Sequence, residues 1–376
     1  MEINNKSDKF DWVIESNYIY GHKTKINKLS LITHVYIFDL DWTIIKTKSG
    51  KTFPTNKNDW ELLYPEVEQK LENSNTNSKK LIGIITNQGG LKNRNQIDEW
   101  TWKIEQINKL IKIDFVFASL SHDQFRKPMD KSWEYIKLQY TELVDWSKLE
   151  SKNKIYYIGD AFGRIKDFSD TDYKFAFNCK MKFKTPELFF KIIPRDLVGS
   201  ITYPIISYYS ENIQNELFKN LFDNLTNEIS KSNNILIIMI GLPGSGKTFM
   251  RNEIIKKMPQ FSYTNNDEKK KICQNNYLID DNTNVVSIDR VKKLELFKSH
   301  YKIGIWFDYK LDVCWHLNLL RMYWFGTKLV PKVSYNVLNK KMAQIKPTLT
   351  EGFDYILHID KIFYQINFDS TNKYYF

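Results

Sequence analysis

The stretch GLPGSGKT (241–248) constrains the fold of this 376-residue chain more than any other. It follows the apolar run ILIIMI (235–240) and precedes FMRNEIIKK (249–257), whose apolar residues recur with a helical period. The pattern GxxxxGKT between a strand and a helix predicts a phosphate-binding loop, because its glycines let backbone N–H groups surround phosphates at a helix N-terminus. This part of the chain is therefore expected to form a parallel α/β domain that binds a nucleotide.

Within the loop, Lys247 is expected to reach the β- and γ-phosphate oxygens of the nucleotide, and Thr248 to hold Mg²⁺. An ordinary glycine-rich turn is the alternative. The predicted nucleotide-binding residues are Gly241, Leu242, Pro243, Gly244, Ser245, Gly246, Lys247 and Thr248.

Two acids downstream of the loop are candidates for phosphoryl-transfer chemistry. Asp267 follows the predicted strand FSYT and can accept a proton from an attacking hydroxyl, whereas Asp281 ends the run YLIDD and suits the magnesium shell. Either acid can instead be a helix cap. Arg290, Arg321 and Lys328 are candidates for contacting an acceptor phosphate or transition-state charge, with a plain surface arginine as the alternative for Arg321.

The first half of the chain places two acids at the end of a predicted buried strand, HVYIFDLDWT (34–43). Side chains at i and i+2 of an extended segment point the same way, so Asp39 and Asp41 should converge. Like charges about 4 Å apart repel by roughly 4 kcal/mol at an effective dielectric near 20, so a positive group is expected between them. The alternative is that both acids fan out into water.

Short β-rich runs alternate with amphipathic stretches through this half, which predicts βαβ units and a parallel sheet. Polar residues follow the first four runs, and the carboxyl ends of parallel strands line the ligand crevice of such sheets. The runs are HVYIF (34–38), 79–86, 113–119, 154–159 and YKFAFN (173–178), and the polar ends are Asp39/Asp41, Thr86–Asn87, the 119–128 loop and Gly159–Asp160.

Length predicts two domains, residues 1–200 and 201–376. The alternation of strands and helices predicts that both are α/β with a parallel sheet, Rossmann-like in the first domain and built around the phosphate-binding loop in the second. The net charge of +11 permits attraction to polyanions but identifies no partner. Three scattered cysteines indicate neither a disulfide framework nor a zinc site. No apolar run approaches a signal peptide core or a membrane span, so a soluble intracellular protein is expected, with its compartment, nuclear, cytoplasmic or viral, left open.

The order of these halves resembles the polynucleotide kinase 3′-phosphatase family of end-healing enzymes, whose first half is of the haloacid dehalogenase type. The resemblance covers residues 34–376. The stretches that carry it are FDLDWTIIKTKSGKTFPTNKNDWELLYPEV, ITNQGG, FRKP, IGDAFGR and TPELFF, followed by GLPGSGKT, the NND stretch, DNTN and PTLTEGF.

In the phosphatase half, the resemblance implies that Asp39 is the nucleophile that becomes an aspartyl-phosphate, and that Asp41 protonates the leaving 3′ oxygen and then activates water. Asp39, Asp41 and Asp160 would bind Mg²⁺, one of the ligands being a backbone carbonyl. Phosphoryl oxygens would be held by Thr43, Thr86 and Asn87, and their charge neutralised by Lys127.

In the kinase half, the resemblance implies that ATP donates the phosphate. Lys247 and Thr248 would bind ATP–Mg²⁺ with Asp281 near the metal, Asp267 would be the general base, and Arg290 and Arg321 would contact the acceptor and the transferring phosphate.

The implied function is bifunctional end healing, in which 3′-phosphate is removed and 5′-hydroxyl phosphorylated at DNA ends during strand-break repair, with RNA left open. Nothing before residue 34 is long enough for a phosphopeptide-binding domain, so recruitment to repair scaffolds by that route is not expected. The alternatives are a fused small-metabolite kinase and phosphatase, or a catalytically weak protein that binds nucleic-acid ends.

Two residues depart from the family pattern. Trp42 stands where glycine is usual, and its ring either packs against a neighbouring loop or stacks on the terminal base of a bound strand. Asn266 replaces the arginine that usually precedes the kinase aspartate, so one acceptor contact is missing or supplied elsewhere.

Overall fold

The computed structural model describes residues 9–23, 32–75, 79–164, 167–190, 211–268, 275–344 and 346–360. These residues form two compact units, the first up to residue 190 and the second from residue 211. The boundary predicted at residue 200 lies outside the described residues and stays a prediction.

The first unit is built on a seven-stranded sheet whose strands are ordered β1-β2-β7-β6-β3-β8-β9. The strands β3, β6, β7, β8 and β9 run parallel, as the βαβ pattern predicts. An N-terminal hairpin, β1–β2, adds to β7 in the antiparallel sense and was not predicted. The bounds are β1 Asp11–Ile14, β2 Tyr18–His22, β3 His34–Phe38, β6 Lys80–Asn87, β7 Phe115–Ser119, β8 Ile155–Ile158 and β9 Lys182–Lys184, with a separate two-stranded ribbon of β4 Ile45–Lys46 and β5 Glu61–Leu62.

Buried aliphatic and aromatic side chains line both faces of this sheet, as a parallel sheet covered by helices requires. The helices of the unit are α1 Glu66–Asn75, α2 Arg94–Ile111, α3 Lys131–Gln139, α4 Trp146–Ser151, α5 Thr171–Asn178 and α6 Pro186–Phe190.

The segment YKFAFN (173–178) is helical, so its prediction as a strand is wrong. Its aromatic residues alternate, but the buried side chains are Asp172, Phe175, Ala176 and Asn178, which recur with the three- to four-residue spacing of a helix. Phe177, which an alternating strand would bury, is 40% exposed. The parallel edge strand follows a few residues later, as β9.

The second unit contains a five-stranded, wholly parallel sheet of order β11-β12-β10-β13-β14. Its central strand β10 is buried throughout and runs directly into the glycine-rich loop. The bounds are α7 Glu211–Ile229, β10 Ile235–Ile240, α8 Lys247–Lys257, β11 Ser262–Thr264, β12 Tyr277–Asp280, α9 Ser287–Leu296, β13 Tyr301–Phe307, α10 Leu311–Phe325, α11 Lys332–Gln344, a 3-10 turn Leu349–Glu351 and β14 Tyr355–Ile359.

Among the described residues, no helix combines the length and apolar character needed to span a bilayer.

Candidate active sites

The first site is centred on a buried lysine in contact with two acids, one in the loop after β3 and one in the first turn of α5. Lys127 Nζ donates to Asp39 Oδ1 at 2.6 Å, to Asp172 Oδ1 at 2.7 Å and to the Tyr157 hydroxyl at 2.7 Å. Tyr157 in turn donates to the Ile85 carbonyl at 2.9 Å. Burial alone would lower the pKa of Lys127, but Asp172 and Asp39 together raise it, so the ammonium group stays charged.

Three carboxylates meet beside this lysine. Oxygens of Asp39, Asp160 and Asp172 lie within 4.8 Å of one another. Burial raises the pKa of Asp39 to about 7, with Asp172 adding to the effect and Lys127 opposing it. Burial also raises the pKa of Asp160 to about 8, with Asp172 and Asp39 adding to it. One ammonium group does not balance three carboxylates, of which Asp39 and Asp172 are buried and Asp160 is half-buried, so the cluster favours a second cation.

The donor set of this cluster fits Mg²⁺, which prefers hard oxygen ligands and binds through a small number of carboxylates. Asp39 and Asp160 are the two predicted ligands that the structure brings together. The Asp41 carboxylate, also predicted as a ligand, does not belong to the cluster. Its Oδ2 instead accepts a hydrogen bond from Gln88 Nε2 at 2.7 Å.

The polar side chains around the acids come from the ends of neighbouring strands. Thr43 is fully buried and its hydroxyl donates to Asp160 Oδ1 at 3.4 Å. Thr86 is also buried, and its hydroxyl accepts from Gln88 Nε2 at 3.2 Å. The Gln88 amide therefore links Thr86 to Asp41, although sequence reasoning assigned it no role.

The prediction that the Asn87 side chain holds a phosphoryl oxygen stays a prediction, and the structure gives this side chain a second role. Its Nδ2 donates to the Lys127 carbonyl at 3.1 Å, and its Oδ1 accepts from the Lys127 backbone N–H at 3.0 Å. The amide group is thus paired with the main chain that carries the buried lysine. It positions Lys127, and this pairing uses only one of the two N–H groups of the half-buried amide.

Sequence reasoning missed Asp172, the third acid of the cluster. Its Oδ2 accepts from the Ala161 N–H at 3.1 Å, which ties the start of α5 to the Asp160 loop. A Cβ on Gly159 would lie 2.3 Å from Asp172 Oδ2, so this close approach requires glycine. The acidic run DFSDTD (167–172) shortly after Asp160 was the available signal.

Arg126, the neighbour of Lys127 in FRKP, was also missed. Its Nη1 is buried and makes no hydrogen bond within the described residues. A Cβ on Gly89 would approach that nitrogen to 3.2 Å, so the guanidinium lies beside the loop that follows β6. A buried donor that is not used within the protein is suited to a phosphate oxygen of the substrate.

The second site is the loop between β10 and α8. Gly244 has φ +79°, and a Cβ at this position would lie 2.6 Å from the Cys314 carbonyl, so both the conformation and the packing require glycine. Lys247 Nζ donates to the Leu242 carbonyl at 2.7 Å and the Gly241 carbonyl at 3.0 Å. Burial lowers its pKa to about 8. The ammonium group therefore lies among the backbone groups that a phosphate-binding loop presents to its ligand.

Thr248 and Asp281 lie together next to this lysine. The Thr248 hydroxyl donates to Asp281 Oδ2 at 3.1 Å, and Asn265 Nδ2 donates to the same oxygen at 3.2 Å. Arg251 Nη1 is 2.9 Å from Asp281 Oδ2 and was not predicted. A hydroxyl and a carboxylate at this distance fit the pair that holds Mg²⁺ beside a bound nucleotide.

Asp267 and Arg321 lie close enough to Lys247 to act on its charge, Asp267 raising its pKa and Arg321 lowering it. Asp267 is exposed and its backbone N–H donates to Asn265 Oδ1 at 2.8 Å. Arg321 is half-buried, and its Nε makes no hydrogen bond within the described residues. The structure thus brings a carboxylate, a lysine and an arginine to one loop.

Arg290 is not at this loop surface, and its prediction as a phosphate ligand requires correction. It is fully buried and pairs with both carboxylate oxygens of Glu351, at 2.6 and 2.7 Å. Its Nη1 donates to the Asn284 carbonyl at 3.0 Å. The guanidinium therefore ties α9 to the 3-10 turn and to the chain after β12.

We expect Arg290→Met to lower the free energy of unfolding of the second unit by about 3–5 kcal/mol, because it leaves the Glu351 carboxylate buried without its cation. Urea unfolding measures the change. The double variant Arg290→Met/Glu351→Leu should recover most of the loss, whereas Lys292→Met on the exposed face of α9 should change little. A stable Arg290→Met protein with a raised KM for the phosphate acceptor would instead support the prediction that Arg290 contacts phosphate.

We expect Mg²⁺ to raise the melting temperature of the nucleotide-free protein more at pH 8.5 than at pH 6. The pKa values of about 7 for Asp39 and 8 for Asp160 mean that protons occupy these carboxylates at pH 6 and must leave before a cation binds. The apparent affinity for Mg²⁺ should be at least about tenfold lower at pH 6 than at pH 8.5. Asp160→Asn is the control and should remove most of the shift. Equal shifts at the two pH values would contradict the site.

Comparison with known proteins places both halves among polynucleotide-processing enzymes. Residues 34–190 match the family model described as polynucleotide kinase 3 phosphatase. The bifunctional polynucleotide phosphatase/kinase of Schizosaccharomyces pombe is 28% identical over 363 residues, which cover 92% of this chain and 83% of that protein. An Acanthamoeba polyphaga mimivirus protein, named provisionally for the same two activities, is 29% identical over 398 aligned residues and covers 94% of this chain and 91% of its own length.

Another relative matches less than half of this chain. The polynucleotide 3′-phosphatase of Saccharomyces cerevisiae is 32% identical over 221 residues, which cover 42% of this chain and 87% of that protein.

Proposed function

Because this chain belongs to the polynucleotide kinase 3′-phosphatase family, we propose that it heals nucleic-acid ends by two reactions. Residues 1–200 remove a 3′-phosphate, and residues 201–376 transfer the γ-phosphate of ATP to a 5′-hydroxyl. The observation that carries the proposal is the contact of Lys127 with Asp39 beside Asp160 and Asp172, because it joins a nucleophile, a fixed positive charge and a cation site.

In the phosphatase reaction, a carboxylate oxygen of Asp39 attacks phosphorus while the bond from phosphorus to the 3′ oxygen breaks. Asp41, oriented by Gln88, gives its proton to the leaving oxygen. Water then attacks the phosphorus of the aspartyl-phosphate, and Asp41 takes a proton from that water. The bond from phosphorus to the Asp39 oxygen breaks, which releases inorganic phosphate and restores the Asp39 carboxylate. The Mg²⁺ held by Asp39 and Asp160 supplies positive charge for the phosphoryl oxygens.

The other side chains of this site act on the charge of the phosphoryl group. Lys127 and Arg126 stabilise its negative charge, and the hydroxyls of Thr43 and Thr86 donate to its oxygens. Asn87 acts indirectly by holding the main chain of Lys127.

In the kinase reaction, the 5′-hydroxyl oxygen attacks the γ-phosphorus of ATP, Asp267 accepts the hydroxyl proton, and the bond to the β–γ bridging oxygen breaks. Lys247 and Arg321 stabilise the charge that develops on the transferring group and on ADP. Thr248 and Asp281 hold the Mg²⁺ that accompanies the nucleotide.

The proposal is tested with two oligonucleotides that each carry one reactive end, a 3′-phosphate on one and a 5′-hydroxyl on the other, in both DNA and RNA. With Mg²⁺ and ATP, the first should lose a phosphate and the second gain one, as read by mass spectrometry. For both reactions kcat/KM should fall steeply with salt, because the strand is held through its phosphates. Turnover of small phosphate esters alone, or binding of ends without turnover, would overturn the proposal.

A further inference from the structure

The backbone at Trp42 adopts a conformation that suits glycine. Its φ is +59°, in the left-handed region that side chains with a Cβ rarely adopt. The turn is held by the Trp42 N–H, which donates to the Ile45 carbonyl at 2.7 Å, and by the Ile44 N–H, which donates to the Leu40 carbonyl at 3.0 Å. Tryptophan therefore costs stability at a position where glycine would relieve the strain. Backbone strain of this kind is found more often at functional sites than elsewhere.

A large part of the Trp42 side chain is left without packing partners in the turn. Leu40, Ile44 and Ile45 of the same turn are buried, whereas the indole is 41% exposed. Within the described residues, the ring-stacking and cation–π contacts do not involve it. Packing against a neighbouring loop, the first of the two roles considered for this residue, therefore does not account for the exposed part of the ring.

The position of the ring beside the first site indicates what it could contact. Trp42 lies between Asp41 and Thr43, and the Thr43 hydroxyl is bonded to Asp160 of the acid cluster. The sugar that carries a 3′-phosphate also carries the terminal base. When a 3′-phosphate is held at Asp39, only one sugar separates that phosphate from the terminal base. The exposed part of the Trp42 ring is available to contact this base.

We propose that Trp42 forms a stacking subsite for the base of the 3′-terminal nucleotide. The proposal rests on the phosphatase function proposed above and adds a binding contact to it. Every base has a π-face, so the subsite accepts any of the four bases and requires only that a base is present. Trp42 touches the base but takes no part in the transfer of phosphate.

The experiment compares Trp42→Gly with the parent protein on two 3′-phosphate oligonucleotides, one ending in a normal nucleotide and one in an abasic tetrahydrofuran residue. For the normal end, the variant should raise KM by about 5- to 150-fold, the range expected for loss of one base–aromatic stack, with kcat changed by less than about twofold. For the abasic end, KM should be the same in parent and variant. Trp42→Phe should retain most of the parental KM on the normal end.

The glycine variant suits the turn, so its melting temperature should equal or exceed that of the parent, and a loss of binding cannot then be assigned to unfolding. An unchanged KM on the normal end, or an equal rise on both ends, would overturn the stacking subsite while leaving the phosphatase intact. A parent protein that hydrolyses neither end would overturn the proposed function, and the subsite with it.

Discussion

Asp39→Asn will abolish the release of phosphate from a 3′-phosphate oligonucleotide and leave the phosphorylation of 5′-hydroxyl ends unchanged. The amide oxygen is a poor nucleophile and carries no charge, so both the covalent step and the pairing with Lys127 are lost. Removal of a nucleophile typically lowers kcat by at least about 10³-fold. Release of inorganic phosphate and transfer of labelled phosphate from ATP, measured on one preparation, report the two activities.

Asp98→Asn is the matched control for this variant. Asp98 is an exposed acid on α2 that pairs with Arg94 at 2.9 Å, so it has the same side chain in a setting without chemistry. Both activities should remain at the parental level. Release of 3′-phosphate by Asp39→Asn at the parental rate would show that another group attacks phosphorus.

Lys247→Ala will lower the phosphorylation of 5′-hydroxyl ends by about 10²- to 10³-fold and leave 3′-phosphate release unchanged, because it removes a positive charge preorganised for the developing phosphate charge. The lysine is buried within the loop, at hydrogen-bond distance from the carbonyls of Gly241 and Leu242. Labelled phosphate transfer at saturating ATP separates loss of kcat from loss of ATP affinity.

Lys256→Ala at the exposed end of α8 is the control, with the same charge change on the same helix. It should retain both activities. A Lys247→Ala protein with parental kinase activity would mean that the glycine-rich loop does not hold the donor phosphates.

The features predicted best from the sequence depend on local backbone geometry. The apolar run before residue 241 and the glycine spacing of residues 241–248 predicted a strand, a loop and a helix in that order. The structure has β10, the glycine-rich loop and α8 at these places. Polar residues meet at the carboxyl ends of parallel strands, which predicted that Asp39 and Asp160 lie close together although they come from separate runs of the chain. The structure has both in one acid cluster.

The features that sequence reasoning missed depend on contacts between distant residues. The partner of Arg290 is Glu351, 61 residues away, and no local pattern distinguishes a buried structural arginine from one that binds phosphate. Asp172 joins the acid cluster only because Gly159 leaves room for it. The pairing of the Asn87 amide with the Lys127 backbone spans 40 residues, so no local pattern reveals it.

The central claim is that Asp39 receives the phosphoryl group beside a cation held by the neighbouring acids. A crystal structure with Mg²⁺ and beryllium fluoride, a phosphate mimic that bonds to carboxylate oxygen, tests this directly. The fluoride group should be attached to Asp39 and contacted by Lys127, with Mg²⁺ bound to Asp39 and Asp160. An Asp39 side chain turned away from the mimic, with no ion at the acid cluster, would contradict the claim.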